Sequence, residues 1–496
     1  MGLRQKLKNS QNYRWLVLGI VSVGTFMATL DASIVNVALP FIAADFQAGV
    51  GRMQWVVTSY LLTISSLLPA FGRLADMVGR RRIYSLGFVV FVMGSALCGL
   101  SFNLASLVAF RVVQALGAAM IMANALAIVT AAFPAHERGR ALGLIGSVVA
   151  AGSLTGPSLG GAVVNSVGWP YIFYLNLPVG IAGSTLAYLL LPEQVAMREG
   201  KRPGFDFTGA ALFVGGVVSL LLALSSGREL GAGTLFIGFL WALAVVCLLW
   251  FTVVESRLAE PMIDLALFRQ RMFAMGNLSG FISYVVMFLS NYLMPFYLKR
   301  VLGYGPSRVG LLMTPIPVAM AVVAPFSGWL SDRIGSVVLT SAGMAVLAMA
   351  TSFLSTLGGD SSYLDVAWRL LLLGIGMGLF TSPNNSAVMG VVPRPQLGVA
   401  GGVVATVRNL GMMLGVALAA NLFSSRAGAL ARGDFTGGEE AAFLAGMAFV
   451  FRVGTGLSVA GMLISLMRSG SVVLRPGGQA GRAPSSPARG SGRPAE

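Results

Sequence analysis

The sequence predicts an all-α polytopic membrane protein: two six-helix bundles with two extra helices between them, fourteen transmembrane helices in total. Three observations lead there. The chain is 56% hydrophobic and 10% charged, whereas soluble domains carry roughly 25% charged residues. Its polar groups are too few to cover a water-facing surface. Apolar runs of the roughly 20 residues that span a bilayer as helix recur along its length, centred near residues 28, 64, 92, 119, 151, 181, 216, 244, 285, 318, 346, 378, 410 and 455. The chain also repeats itself. "GRLADMVGRRR" from Gly72 returns as "GWLSDRIGSVV" from Gly328, with Gly72, Leu74, Asp76 and Gly79 matching Gly328, Leu330, Asp332 and Gly335 at an offset of 256. Arg111 matches Arg369 at 258, and Gly139, Gly152 and Gly156 match Gly398, Gly411 and Gly415 at 259. Parallel halves of this kind are an architecture of secondary transporters, with the substrate site between them near the midplane.

Taken in order, the basic start "MGLRQKLKNSQNYRW" is followed by an apolar run too long for a signal peptide and without a small-residue cleavage site, so it is a first spanning helix. The start lacks the Ser or Thr at position six that myristoylation needs. Residues 1–14 form a cytoplasmic N-terminus, 15–191 the first six-helix bundle, and 272–468 the second. Residues 192–271 hold polar linkers and the two extra helices, near 207–226 and 233–254. Residues 469–496, rich in Pro, Gly, Ser and Arg, form a disordered basic cytoplasmic tail. With both termini in the cytoplasm, the cytoplasmic segments hold 23 of the 34 Lys and Arg, the outer segments 7 and the spans 4. That bias is the positive-inside rule, and it places the chain as a multi-pass protein of the cytoplasmic membrane. Lys299, Arg300 and Arg308 are the outer cluster that disobeys it.

The same placement accounts for the net charge of +16 without a nucleic-acid partner. Cys98 and Cys247 lie far apart within apolar runs, and His136 stands alone in a polar loop, so no metal or thiol chemistry is expected. No Ser/His/Asp set and no Walker motif occur. The expectation is a protein that is not an enzyme and needs neither cofactor nor metal.

Asp31, in "FMATLDASIVNVALPF", is the one acid placed well inside a span. A carboxylate in hydrocarbon costs roughly 2.5–3.5 kcal/mol or more, so such residues face a cavity and serve function. Counting from Trp15 at 1.5 Å per residue, Asp31 lies about 24 Å up. Arg111, counted from Leu104 on the opposite side, lies about 10 Å down. In a core about 30 Å thick the two share a depth and can pair. Gly152, Gly156 and Gly160 recur every fourth residue, a side-chain-free face beside Pro157 and Gly161. In the ninth span Tyr284, Phe288 and Asn291 share a face suited to varied apolar ligands. Asn384 and Asn385 put polar groups at membrane depth in the twelfth.

Six stretches resemble, in order, the motifs of the fourteen-helix drug:proton antiporters of the major facilitator superfamily: "LDASIVNVALP" from Leu30, "QWVVTSYLL" from Gln54, "GRLADMVGRRR", "RVVQALGAAM" from Arg111, "GSLTGPSLGG" from Gly152 and "WPYIFYLNLPVG" from Trp169. The resemblance implies the major facilitator fold and proton-driven multidrug efflux. It implies a proton-coupling pair at Asp31 and Arg111. It makes Gly72, Asp76, Gly79, Arg80 and Arg81 a cytoplasmic gate. It puts Gly152, Gly156, Pro157, Gly160 and Gly161 at the interface of the halves as an antiporter motif. Polar members of these motifs, Asn36, Gln54, Tyr60 and Gln114, join the candidates for the substrate cavity.

The expectation is an exporter of amphipathic or lipophilic small molecules, exchanged for protons in the lipid bilayer, with a monomer sufficient. With one embedded acid, neutral, zwitterionic or monocationic cargo is favoured. An exporter of lipids or lipid precursors, and a non-transporting scaffold or receptor on the same fold, stay open as alternatives. In a cysteine-free background, a membrane-impermeant thiol reagent applied outside should label a cysteine at Ala232 and miss one at Gly478; the reverse pattern would overturn the topology.

Overall fold

The computed structural model describes residues 12–134, 137–191, 207–225, 234–257, 265–392, 397–432 and 438–470. Among these the chain is helical, with no strand. The first six helices are α1 (Tyr13–Asp45), α2 (Val50–Val78), α3 (Arg80–Gly99), α4 (Leu104–Ala132), α5 (Arg138–Ser166) and α6 (Asn176–Leu190), the last preceded by a single turn, Tyr171–Tyr174. α7 (Phe207–Ser225) and α8 (Thr234–Arg257) follow. Then come α9 (Arg271–Arg300), α10 in two pieces (Pro306–Met313 and Pro315–Ile334), α11 (Ser336–Leu354), α12 (Tyr363–Gly390), α13 (Leu397–Arg432) and α14 (Gly438–Leu466). The break in α10 falls at Thr314, before Pro315 and Pro317, whose rings remove two backbone donors.

Eleven of the helical segments are long and apolar enough to cross a membrane, so the chain is a multi-pass membrane protein. α2, α5 and α7 occupy the positions of the three other expected spans and are not among those eleven. The linker 192–206, His136 and the tail from 471 lie outside the described residues.

The repeat seen in sequence becomes a repeat of packing. α1 packs on α5, α2 on α4, and α3 on α4 and α6; in the same order α9 packs on α13, α10 on α12, and α11 on α12 and α14. Even the turns match. Gly79, between α2 and α3, has φ +110°, and Gly335, between α10 and α11, has φ +90°. Side-chain-bearing residues rarely adopt such values, which is why the repeat keeps Gly at both places. α7 pairs with α8 and touches α2 and α13, so it lies along the seam between the two sets. α8 leaves Leu235, Phe239, Leu249 and Trp250 exposed, as suits a helix facing acyl chains.

The two sets meet closely at the end that carries the α1–α2 connection. Lys299 Nζ donates to the Pro40 carbonyl at 2.9 Å and lies over the Phe41 ring. The Tyr292 hydroxyl donates to the Val50 carbonyl. The hydroxyls of Ser158 (α5) and Thr314 (the α10 break) are 2.8 Å apart.

The small-residue face of α5 departs from expectation. Gly152, Gly156 and Gly160 do not meet the other set. They lie against α1 of their own set, where an added Cβ would strike Thr29, Ser33 and Ile34 respectively. The reason is local: bare backbone every fourth residue lets α1 close in, and Ser33 Oγ donates to the Gly152 carbonyl at 3.2 Å. Gly161, about 100° further round the helix, is the one turned to α10. There it meets Pro306 and Gly310, and the Pro157 carbonyl abuts Gly310.

Gly156→Leu should therefore destabilise the first set, by about 2–3 kcal/mol from overpacking, and lower the thermal unfolding midpoint of the purified protein. Gly161→Leu should spare that midpoint and part α5 from α10. Cysteines at Ser158 and Thr314 should then crosslink in the parent and fail to do so beside Gly161→Leu.

Candidate functional site

The centre of the first set is a polar cluster inside an otherwise apolar core. Asp31 (α1) is fully buried, and Arg111 (α4) is 1% exposed. Arg111 Nη1 donates to Asp31 Oδ2 at 2.6 Å and to Gln114 Oε1 at 2.7 Å. Gln114 Nε2 donates to Asp31 Oδ1 at 2.8 Å, closing a ring of three side chains. Asn176 (α6) donates to the same Oδ1 at 3.0 Å. Ser95 (α3) accepts from both amides and donates to the Phe173 carbonyl at 2.8 Å. Arg111 Nε donates to the Val56 carbonyl of α2, and its guanidinium lies 3.9 Å over the Tyr60 ring. The carboxylate thus receives three donors, one of them cationic. That is what a buried charge requires, since an unpaired one costs far more than any packing gain.

Beside this cluster a cavity of about 270 Å³ opens between the two sets. α1, α2, α4 and α5 line one side, and α9, α10 and α13 the other. Its wall is mixed: the aromatics Tyr60, Tyr284 and Phe288, a run of methionines that includes Met287 and Met412, and the amides Asn36, Asn291 and Asn409. Met and aromatic side chains adapt to apolar ligands of differing shape, while the amides supply orientation. Arg111 reaches the wall; Asp31 is not part of the lining and sits behind it. The carboxylate expected to face a cavity is separated from it by its own counter-ion.

The sequence candidates therefore divide. Asn36, Tyr60, Tyr284, Phe288 and Asn291 line the cavity. Gln54, Gln114, Asn384 and Asn385 do not. Gln114 is drawn into the ring around Asp31. Gln54 is buried in α2. Asn384 lies against Gly276 and Gly280 of α9, and Asn385, one position on, is exposed. At the gate motif, Arg80 donates to the Ala127 carbonyl of α4 at 3.3 Å. Arg81 lies 4.9 Å from the Tyr188 ring centre. Gly72 has open space around it, and the Asp76 side chain lies outside what the structure describes. Four residues escaped the sequence reading: Ser95, Asn176, Arg408 and Asn409. Each is a polar group deep within an apolar run, and that was the available signal; Asn176 even falls inside "WPYIFYLNLPVG". No group of three or more His, Cys, Asp or Glu side chains that could hold a metal occurs among the described residues.

The Major Facilitator Superfamily matches residues 21–416. The riboflavin transporter RibZ of Clostridioides difficile is 38% identical over 83% of this chain and 88% of its own. The multidrug transporter protein MdtP of Bacillus subtilis is 33% identical over 86% and 79%. The tetracenomycin C resistance and export protein of Streptomyces glaucescens is 33% identical over 84% and 77%. Among solved structures, a bacterial homologue of the human lysosomal transporter Spinster, inward-facing and unoccupied, superposes with a TM-score of 0.68, at 17% identity, over 93% of this chain and 98% of that one. At that identity the likeness concerns the fold.

Removing Arg111 alone strands a buried carboxylate, so Arg111→Ala should cost about 3–5 kcal/mol of stability. The charge-neutral pair Asp31→Asn with Arg111→Gln should recover more than half of that loss. Thermal unfolding of the single and double variants in detergent checks it; equal losses would mean that the pair is not coupled.

Proposed function

The chain belongs to the Major Facilitator Superfamily, a family of membrane transporters, and from that premise we propose a proton-driven antiporter that exports amphipathic or lipophilic small molecules by alternating access. One observation carries this reading. Asp31, fully buried within the spanning region, lies one side chain away from a cavity between two repeat-related helix sets. A group that is always charged there would be a standing cost, and one that is always neutral could not couple a proton to anything.

In this reading the helices make fourteen spans, α2, α5 and α7 completing the set, with two six-helix bundles and the α7–α8 pair between them. The protein sits in the cytoplasmic membrane with both termini inside, so the α1–α2 end, held by Lys299 and Tyr292, faces out. The state described is then closed to the outside. Protonation of Asp31 turns an ion pair into a neutral acid beside a freed guanidinium. Arg111, already over the Tyr60 ring and at the cavity wall, then loses its hold on α1, and the contact of α1 with α4 loosens. Loading and releasing that proton on opposite sides gives the rocking of the sets a direction. Asp76 serves as a latch to a helix N-terminus of the second bundle when the cytoplasmic side closes. The close α5–α10 contact at Gly161 limits leak. No cofactor and no nucleic acid take part, and one copy suffices.

Relatives named for multidrug transport and for tetracenomycin C resistance and export support efflux. RibZ, named for riboflavin, supports a second reading in which the cargo is a single vitamin-like ring compound and not a range of drugs. A compound panel in proteoliposomes separates the two.

With an imposed pH gradient, wild-type proteoliposomes should accumulate a transported compound uphill. Asp31→Asn, in a preparation shown to be folded, should lose uphill transport while keeping downhill exchange. Uphill accumulation by Asp31→Asn would rule the residue out as the proton carrier and leave it a structural partner of Arg111.

A further inference from the structure

The cavity wall holds two guanidiniums and no carboxylate. The first, Arg111, is neutralised by Asp31 at 2.6 Å. The second, Arg408 on α13, has no acidic partner among the described residues, and its Nε is buried without a hydrogen bond. It stands eleven residues into α13, about 16 Å from that helix's start at 1.5 Å per residue, and so at membrane depth. Asn409 and Met412 on its own helix, and Tyr284 and Phe288 on α9, line the wall with it. An unpaired cation at such a place is costly and needs a counter-charge from somewhere. Asp31 cannot supply it, being behind Arg111 and already bound by three donors. The cavity wall thus carries one positive charge without an acidic partner among the described residues.

Building on the transport reading, we infer that Arg408 is an anion subsite and that the cargo is an aromatic amphiphile bearing an acidic group, such as a carboxylate or sulfonate. Its charged end pairs with the Arg408 guanidinium, whose fork of N–H donors meets two oxygens of an oxyanion at once. Its ring lies among Tyr284, Phe288 and the methionines. A cationic compound would meet repulsion from Arg408 with no carboxylate on the wall to offset it. This reverses the leaning toward neutral or cationic cargo that a lone embedded acid suggested.

The test compares two fluorescent probes that differ in one group: 8-anilinonaphthalene-1-sulfonate and N-phenyl-1-naphthylamine, which lacks the sulfonate. Each is titrated into the full chain in nanodiscs, against empty nanodiscs. The wild-type protein should bind the sulfonate more tightly than its neutral partner. Arg408→Gln should weaken the sulfonate about tenfold or more, the loss of one charge-assisted bond, and change the neutral probe by no more than about twofold. Arg408→Lys, which keeps the charge, should hold most of the sulfonate affinity. If Arg408→Gln does not fold, the wild-type preference and the Arg408→Lys titration decide. No sulfonate preference in the wild type, or equal losses of both probes in Arg408→Gln, overturns the subsite. Binding is read without a gradient. A protein that prefers the sulfonate yet exports nothing in proteoliposomes overturns the transport reading alone, whereas export with no such preference overturns the subsite alone.

Discussion

A charged carboxylate with no water around it must be held by donors, and the first helix set is arranged around that need. Asp31 draws Arg111 and Gln114 from α4, Asn176 from α6 and, at one remove, Ser95 from α3 and the Val56 carbonyl from α2. Five of six helices thus contribute to one polar cluster. The sixth, α5, is brought in by other means: its bare glycine face closes on α1 two residues further along, at Ser33. Each helix position here is set by a polar contact that hydrocarbon cannot replace, or by a missing side chain that lets backbones touch. That gives the set a single arrangement where apolar packing alone would allow several.

The two sets share their packing and differ in their chemistry. Gly152 of α5 meets the Phe26 carbonyl of α1, and Gly411 of α13 meets the Phe281 carbonyl of α9, which aligns the helices at an offset of 255. By that register Asp31 corresponds to Val286, and both are buried. The repeat offset of 259 pairs Val149 with Arg408, and both line the cavity. One half keeps an acid where the other has valine, and the other keeps a cation where the first has valine. The buried carboxylate and the cation without an acidic partner among the described residues thus belong to opposite halves.

Eleven of the expected spans and the pairing of Asp31 with Arg111 were legible in the sequence because they rest on counting. Runs of about twenty apolar residues and a rise per residue placed Asp31 and Arg111 at one depth, and depth was enough to predict contact. What a side chain faces was harder to read. Gly152, Gly156 and Gly160 share a helix face, yet nothing in their spacing says which neighbour uses it. Asn384 and Gln54 are polar within spans, as Asn36 is, and only the helix rotation decides which reaches the cavity. Asn176 and Ser95 were overlooked because each supports Asp31 from a distance of 145 and 64 residues along the chain, with no local signature of the partnership.

That separation also bears on how the protein is made. Asp31 leaves the ribosome on the first helix, and Arg111 follows 80 residues later. At 5–20 residues per second the carboxyl waits roughly 4–16 s for its counter-charge, and longer still for Asn176. Through that interval α1 carries an acid with no donor in a segment meant for lipid. The neutral acid is the cheaper form to insert, and apolar neighbours such as Leu30, Ile34 and Val35, each favouring insertion by about 0.3–0.6 kcal/mol, offset much of its cost. The ion pair is then assembled inside the bilayer, after insertion, by the arrival of α4.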